Sequence, residues 1–229
     1  MSADSSYMPQ QSPVNIVSPL TMYVALASDY LVVSYPDEPL SGHFDHDFYF
    51  DAPPSLTFEG MSASLERIHI HSRSEHLLDG QDFDFEIHFV HPLSSTIPET
   101  GEQRYLVLGV FFKEDSASTT PKSIRALNEL MKSNTRLLKK EGGDDPAPEA
   151  DVNPRDFLPS DLSKYFRYEG SLTTPHKDSE PNPEIVSWVV FPELVTVNPD
   201  DVAELKEYAQ DTAREPQPLY RRFVLRSFE

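Results

Sequence analysis

Two short stretches carry histidines at spacings that suit chemistry. In Leu65-Glu66-Arg67-Ile68-His69-Ile70-His71 two imidazoles stand two residues apart, and in Phe83-Asp84-Phe85-Glu86-Ile87-His88-Phe89-Val90 a glutamate stands two before a histidine. Side chains two apart on a strand share a face, about 6.6 Å apart along it. His69 and His71 therefore point the same way, as do Glu86 and His88. If the two stretches are neighbouring strands, His88 closes a third corner with His69 and His71. Three imidazoles directed at one point, with a fourth position open, suit a catalytic zinc ion rather than a closed structural one. Glu86 can accept the non-ligating N–H of His88, as carboxylates commonly do behind metal-bound histidines. His76 and His91 lie close in sequence, and spacing alone leaves either as an alternative third ligand.

Such residues need strands to hold them, and short β-like runs dominate the chain. They span 30–34, 47–50, 55–59, 65–71, 83–90, 105–112, 165–168, 185–191 and 222–228, are rich in Val, Ile, Phe and Tyr, and are separated by turn residues. A helix is predicted with Thr120 as its cap and Pro121 in its first turn, followed by an apolar stripe of Ile124, Leu127, Leu130, Met131, Leu137 and Leu138. A second is predicted from the cap Asn198, with Asp201 at the capping-box position and Val202, Leu205 and Tyr208 on its buried side. The helices do not alternate regularly with strands, which argues against a doubly wound sheet. Residues 141–159 are acidic and rich in Pro and Gly, and read as an exposed loop within a single domain over 1–229.

A chain of 229 residues suffices for one sizeable core. Its formal charge of -19 disfavours nucleic acid and anionic membranes, and no basic stripe is present. The absence of cysteine excludes disulfides, thiolate catalysis and Cys-ligated metals together. No apolar run approaches the length of a membrane span, and the polar N-terminus lacks a signal core. The expected location is cytoplasmic for a full-length chain, and secreted or periplasmic if a leader has been removed.

The ordered motifs resemble those of the alpha-class carbonic anhydrases from near the N-terminus to the end. They run Gln11-Ser12-Pro13-Val14-Asn15-Ile16, Ile68 to His71, Ser74-Glu75-His76, Glu86 to His91, Tyr105 to Phe112, Tyr168-Glu169-Gly170-Ser171-Leu172-Thr173-Thr174-Pro175, Ser187-Trp188-Val189-Val190-Phe191 and Arg214 to Leu219. The resemblance implies a mainly β fold with peripheral helices, a single α/β domain on a large, mostly antiparallel twisted central sheet. It implies Zn2+ held by His69, His71 and His88, with water as fourth ligand, and reversible hydration of carbon dioxide to bicarbonate by zinc-bound hydroxide. Small-anion or sulfonamide-type inhibitors are expected at the open metal position, and weak ester hydrolysis as a side activity. A homodimer is admitted. The rival reading is a carbonic-anhydrase-like binding module of low activity.

The same resemblance gives Thr173 as the gatekeeper and Glu75 as the carboxylate that takes its hydroxyl proton, leaving the threonine oxygen to orient the nucleophile. Val90, Val107, Leu172 and Trp188 are expected to form an apolar wall for carbon dioxide, with Thr174 beside them in the substrate pocket. His43 is expected to carry the released proton, since an imidazole titrates near neutrality. His46 is read first as a solvated surface residue, with Asp45 and Asp47 making an acidic mouth. The chain also departs from the family. The segment before Gln11 is reduced, Ser72-Arg73 replaces a usual Trp-Gly pair, a polar insertion runs from Lys177 to Glu184, and His176 stands where a second proline is usual. Arg67 replaces the glutamine that accepts the outer N–H of the first ligand. Arginine has no acceptor, so water or a backbone carbonyl is expected to take that N–H of His69.

Overall fold

The longest strands are built from the stretches densest in Val, Ile, Leu and Phe, and they occupy the middle of the sheet that carries the histidines. The computed structural model describes residues 8–96, 101–134, 147–174, 182–210 and 212–229. Its strands in chain order are β1 (Asn15–Ile16), β2 (Met22–Tyr23), β3 (Leu31–Val33), β4 (Leu40–Asp45), β5 (Asp47–Phe50), β6 (Ser55–Phe58), β7 (Met61–Ser64) and β8 (Arg67–His71). Then follow β9 (Leu77–Leu78), β10 (Phe85–Thr96), β11 (Gln103–Glu114), β12 (Glu149–Val152), β13 (Phe166–Gly170), β14 (Val186–Val197) and β15 (Leu225–Arg226). Among the described residues the α-helices are α1 (Lys122–Ser133) and α2 (Ala203–Tyr208).

Ten strands form one sheet in the order β12-β4-β5-β8-β10-β11-β14-β13-β15-β2. Neighbours are antiparallel except β11 with β14 and β15 with β2. The domain is thus the expected single mixed α/β unit on a large, mostly antiparallel sheet. Strict alternation along β10 divides its side chains between two apolar clusters. Phe85, Ile87 and Phe89 join Phe44, Ile68 and Phe112 in a core that α1 covers with Ile124, Leu127 and Met131. Val90 belongs to the other cluster, with Val107, Phe111, Tyr168 and Trp188, so Glu86 and His88 face that second side.

Several local expectations are corrected. Residues 149–152 of the supposed acidic loop pair with β4 as an edge strand, and Pro154–Phe157 forms a 3-10 turn with Phe157 fully buried. Residues 141–146 of that stretch lie outside the described residues, as do Leu137, Leu138 and His176. Thr120 does not cap α1. Its hydroxyl oxygen accepts from the Asn198 N–H at 2.8 Å, while Asp156 accepts from the Ser123 N–H in the first turn of α1 at 2.9 Å. Asn198 does cap, accepting from the Asp200 N–H at 3.0 Å, but the turn it caps is the 3-10 segment Pro199–Asp201, and α2 begins only at Ala203. Strand β4 escapes a propensity reading because Ser41-Gly42 and Asp45 interrupt it. Gly42 is required there, since a Cβ would meet the Tyr49 carbonyl oxygen at 2.2 Å. No helix among the described residues is long and apolar enough to cross a membrane.

Candidate functional site

Strands β8 and β10 pair antiparallel with His69 opposite His88 and His71 opposite Glu86, so these four side chains rise from one face. The ring centroids of His69 and His71 are 4.4 Å apart, those of His71 and His88 4.8 Å, and those of His69 and His88 6.4 Å. Each ring uses one nitrogen to bond outward. His69 donates from Nδ1 to Asp47 Oδ1, His71 from Nδ1 to the Thr212 carbonyl at 3.2 Å, and His88 from Nε2 to Glu86 Oε1 at 3.0 Å. Each contact selects the tautomer whose lone pair lies on the other nitrogen. Burial lowers the pKa of His71 well below the ordinary value, reinforced by the charges of His88 and His69. Burial also lowers that of His88, against the pull of Glu86. Both rings are therefore neutral and keep a lone pair to offer.

Those remaining nitrogens test whether the residues fit a cation. Nε2 of His69 and Nε2 of His71 are buried without a hydrogen-bond partner, and Nδ1 of His88 faces Glu75 Oε2 at 3.9 Å. An unsatisfied buried polar atom costs about 1–3 kcal/mol, and a bound cation would satisfy both orphan nitrogens. Among the described residues two His/Glu groups have ligand atoms within 4.8 Å of one another and could hold a metal: His71, Glu75 and His88, and His76, Glu86 and His88. Neither contains His69, so the three-histidine set expected from the sequence is not the tightest grouping. Glu75 Oε2 instead stands 3.3 Å from His71 Nε2. The alternative third ligands are committed elsewhere. His76 bonds Glu86 through Nδ1 at 2.8 Å and the Tyr168 hydroxyl through Nε2 at 2.7 Å. His91 bonds the Tyr35 hydroxyl and the Leu106 carbonyl.

Glu86 anchors this face. Its Oε1 accepts from both His88 and His76, and its Oε2 from the backbone N–H groups of Glu75 and His76, each at 2.9 Å. Burial alone would raise its pKa, but the charges and hydrogen bonds of His76 and His88 outweigh that and hold it well below the carboxylate range. The carboxylate fits because β11 offers Gly109 opposite His88. A Cβ on Gly109 would lie 2.8 Å from Glu86 Oε1. Glu75, almost fully buried, accepts from the Arg214 backbone N–H at 2.8 Å and from the Thr173 hydroxyl. Burial pushes its pKa up to about 8, against the lowering effect of those two hydrogen bonds.

A cavity of about 300 Å³ opens onto this face, walled by Val90, Val107, Leu172 and Trp188 and reaching His69 and His88. Thr173 and Thr174 also line it. Trp188 is held by an N–H bond to the Ser171 carbonyl at 3.1 Å and meets His88 edge-on at 4.8 Å. His46 lines the cavity, whereas His43 is not among its lining residues. His43 lies on β4, stacked on Tyr49 and 3.5 Å from Asp51. Asp47 is not part of a solvated acidic mouth. It is buried, taking His69 on one oxygen and Arg67 Nε at 2.8 Å on the other. The outer N–H of His69 therefore goes to a carboxylate of the adjacent strand, neither to water nor to a backbone carbonyl. Sequence reasoning missed this role of Asp47, and no motif marks it, because the contact depends on strand register. It also missed Thr212, which contributes only a backbone carbonyl and leaves no signal in residue type.

A histidine cluster at the centre of a ten-stranded sheet, under a cleft with an apolar wall, defines an alpha-carbonic-anhydrase-like domain. The family profile described as "Eukaryotic-type carbonic anhydrase" matches residues 2–228, and the chain belongs to that family, the alpha class. It is 36% identical over 159 residues to dioscorin DB3L of Dioscorea polystachya, covering 68% of this chain and 51% of that protein, so the match spans about half the relative's length. Alpha carbonic anhydrase 3 of Arabidopsis thaliana is 27% identical over 223 residues, covering 94% of this chain and 73% of that protein. Among solved structures, alpha-carbonic anhydrase from Thermovibrio ammonificans in complex with sulfanilamide superposes with a TM-score of 0.72 at 27% identity, covering 94% of this chain and 86% of that one.

Proposed function

We propose that the protein is a carbonic anhydrase that reversibly hydrates carbon dioxide to bicarbonate and a proton, with Zn2+ held by His69, His71 and His88. The observation that carries this reading is the pair of buried Nε2 atoms on His69 and His71 without a hydrogen-bond partner, beside neutral His88, where His69 and His88 open onto a cavity with an apolar wall. Held by those three residues, Zn2+ would supply Lewis-acid chemistry that makes hydroxide available near neutral pH. Neutral imidazoles suit zinc, and the outward bonds to Asp47, Thr212 and Glu86 hold the rings in orientation.

The chain's own groups do the rest. The Thr173 hydroxyl donates to Glu75, so its oxygen has only lone pairs left for the nucleophile and can accept from it in one direction. Glu75 is kept for that task by the Arg214 N–H, which fixes the carboxylate. Val90, Val107, Leu172 and Trp188 present a surface without hydrogen-bonding side chains toward the cavity apart from the anchored indole, suited to an uncharged substrate, with Thr174 at its border. For the proton, His46 is the better placed carrier and His43 the second. His46 lines the cavity, its side chain is 80% exposed, and its backbone carbonyl is held by the Tyr208 hydroxyl at 2.9 Å. Small anions and sulfonamides are the expected inhibitors. Measuring zinc content and carbon dioxide hydration on one preparation tests the reading. About one zinc per chain with hydration supports it. Zinc without hydration leaves a binding module, and hydration without metal overturns the site.

A further inference from the structure

We propose that Asp47 is the positioning residue of His69, and that it and Arg67 form a built support for that ring rather than a surface ion pair. The inference rests on His69 being a zinc ligand. The support follows from register. Strand β5 pairs with β8 through Phe48–Ile68 and Tyr49–Arg67, so the next step brings Asp47 across from His69. Arg67 and His69, two apart on β8, share the face that Asp47 meets. Asp47 divides its oxygens, Oδ1 accepting from His69 Nδ1 and Oδ2 from Arg67 Nε at 2.8 Å. Its side chain is 12% exposed against 24% for Arg67 and 25% for His69, so the three pack as one partly dehydrated unit.

A plain Asp47–Arg67 ion pair would leave His69 a bystander, and two details speak against that. Arg67 is also paired with Glu66 Oε1 through Nη1, so one guanidinium serves two carboxylates and leaves an excess of negative charge beside the ring. His69 also directs a donor, not its free edge, at Asp47, which leaves Nε2 buried and unpartnered on the other side. A carboxylate accepting an imidazole N–H fixes ring orientation and raises the basicity of the opposite nitrogen. Asp47 therefore makes His69 a stronger and better aimed ligand, and Arg67 keeps the carboxylate from rotating away.

Zinc affinity by chelator competition on the full chain tests this, together with the proton NMR signal of the His69 Nδ1–H in zinc-loaded protein and the melting temperature of the metal-free form. Asp47→Ala is expected to weaken zinc binding by about 10- to 100-fold. Asp47→Asn, which keeps the shape, is expected to give a smaller loss and an upfield move of the N–H signal. Asp47→Ala combined with Arg67→Gln should recover part of the affinity, because an amide at position 67 lies on the same face and offers an acceptor. If Asp47→Ala does not fold, Asp47→Asn decides, any loss above twofold supporting the role. A wild type that holds zinc, with variants unchanged within twofold and an unmoved N–H signal, overturns the role of Asp47 and leaves the zinc reading standing. A wild type that holds no zinc overturns both.

Discussion

Gly109→Ala is the sharpest probe of how the sheet supports the site. The added Cβ would lie 2.8 Å from Glu86 Oε1, while its next neighbours, the Val190 methyls at 3.5 and 3.8 Å, are at ordinary contact. Glu86 cannot retreat by moving its backbone, which is paired on both sides, to His71 of β8 and Phe111 of β11. The carboxylate must turn by about half an ångström, and the atom displaced is the one that accepts from both His76 at 2.8 Å and His88 at 3.0 Å. Hydrogen bonds to charged groups contribute about 1.5–3 kcal/mol each, and neither is lost entirely, so about 2–4 kcal/mol of stability should go. For a domain of this size that lowers Tm by roughly 5–15 °C. The same shift weakens the carboxylate's hold on His88, so zinc affinity should fall by about 10-fold, the lower end of what removing such a partner costs. Calorimetry of the metal-free protein and chelator competition on the loaded one read the two effects separately. A double-mutant cycle with Glu86→Ala isolates the cause, since the second substitution should add little once the carboxylate is gone. Wild-type Tm and zinc affinity in Gly109→Ala would refute the reasoning, and so would a loss that persists undiminished in the Glu86→Ala background.

Thr173→Ala should keep its zinc and lose hydration by about 100-fold, the scale of misaligning a reacting group; near-normal rates at normal zinc would remove the gatekeeper role. His46→Ala should slow steady-state hydration in dilute buffer more than His43→Ala does, with equilibrium exchange between carbon dioxide and bicarbonate unchanged and added imidazole restoring turnover. An unaffected double variant would rule out both histidines as proton carriers. Acid stability should carry the mark of His91, whose pKa burial lowers to about 4. The unfolded chain binds that proton near pH 6.5 and the folded one does not, so stability is full above about 6.5 and falls as pH drops toward 4. At pH 5 the cost is about 2 kcal/mol relative to pH 7. Urea unfolding at both pH values should show that much less acid sensitivity in His91→Gln, and equal sensitivity would discount the buried histidine.

Much of the site is legible in residue type and spacing. His69 and His71, two apart, and Glu86 and His88, two apart, must share faces once they are in strands, because strand geometry has a period of two. The dense apolar runs around them specify those strands, and β5 spans 47–50 as its sequence suggests. Edges and partners are another matter. Strand β12 sits in a stretch whose composition favours a loop, and it exists because β4 offers it a free edge. The acceptor for His69, the carbonyl that holds His71 and the N–H that fixes Glu75 come from Asp47, Thr212 and Arg214, which are 22, 141 and 139 residues away from the groups they serve. Whether His43 or His46 reaches the cavity is set by where the β4–β5 turn falls, at His46 with its φ of 62°. Local sequence determines which side chains can do chemistry and which face they share. Tertiary structure alone decided which backbone groups and distant carboxylates hold them, because those contacts depend on register between strands and on chain returning from elsewhere, neither of which has a local signature.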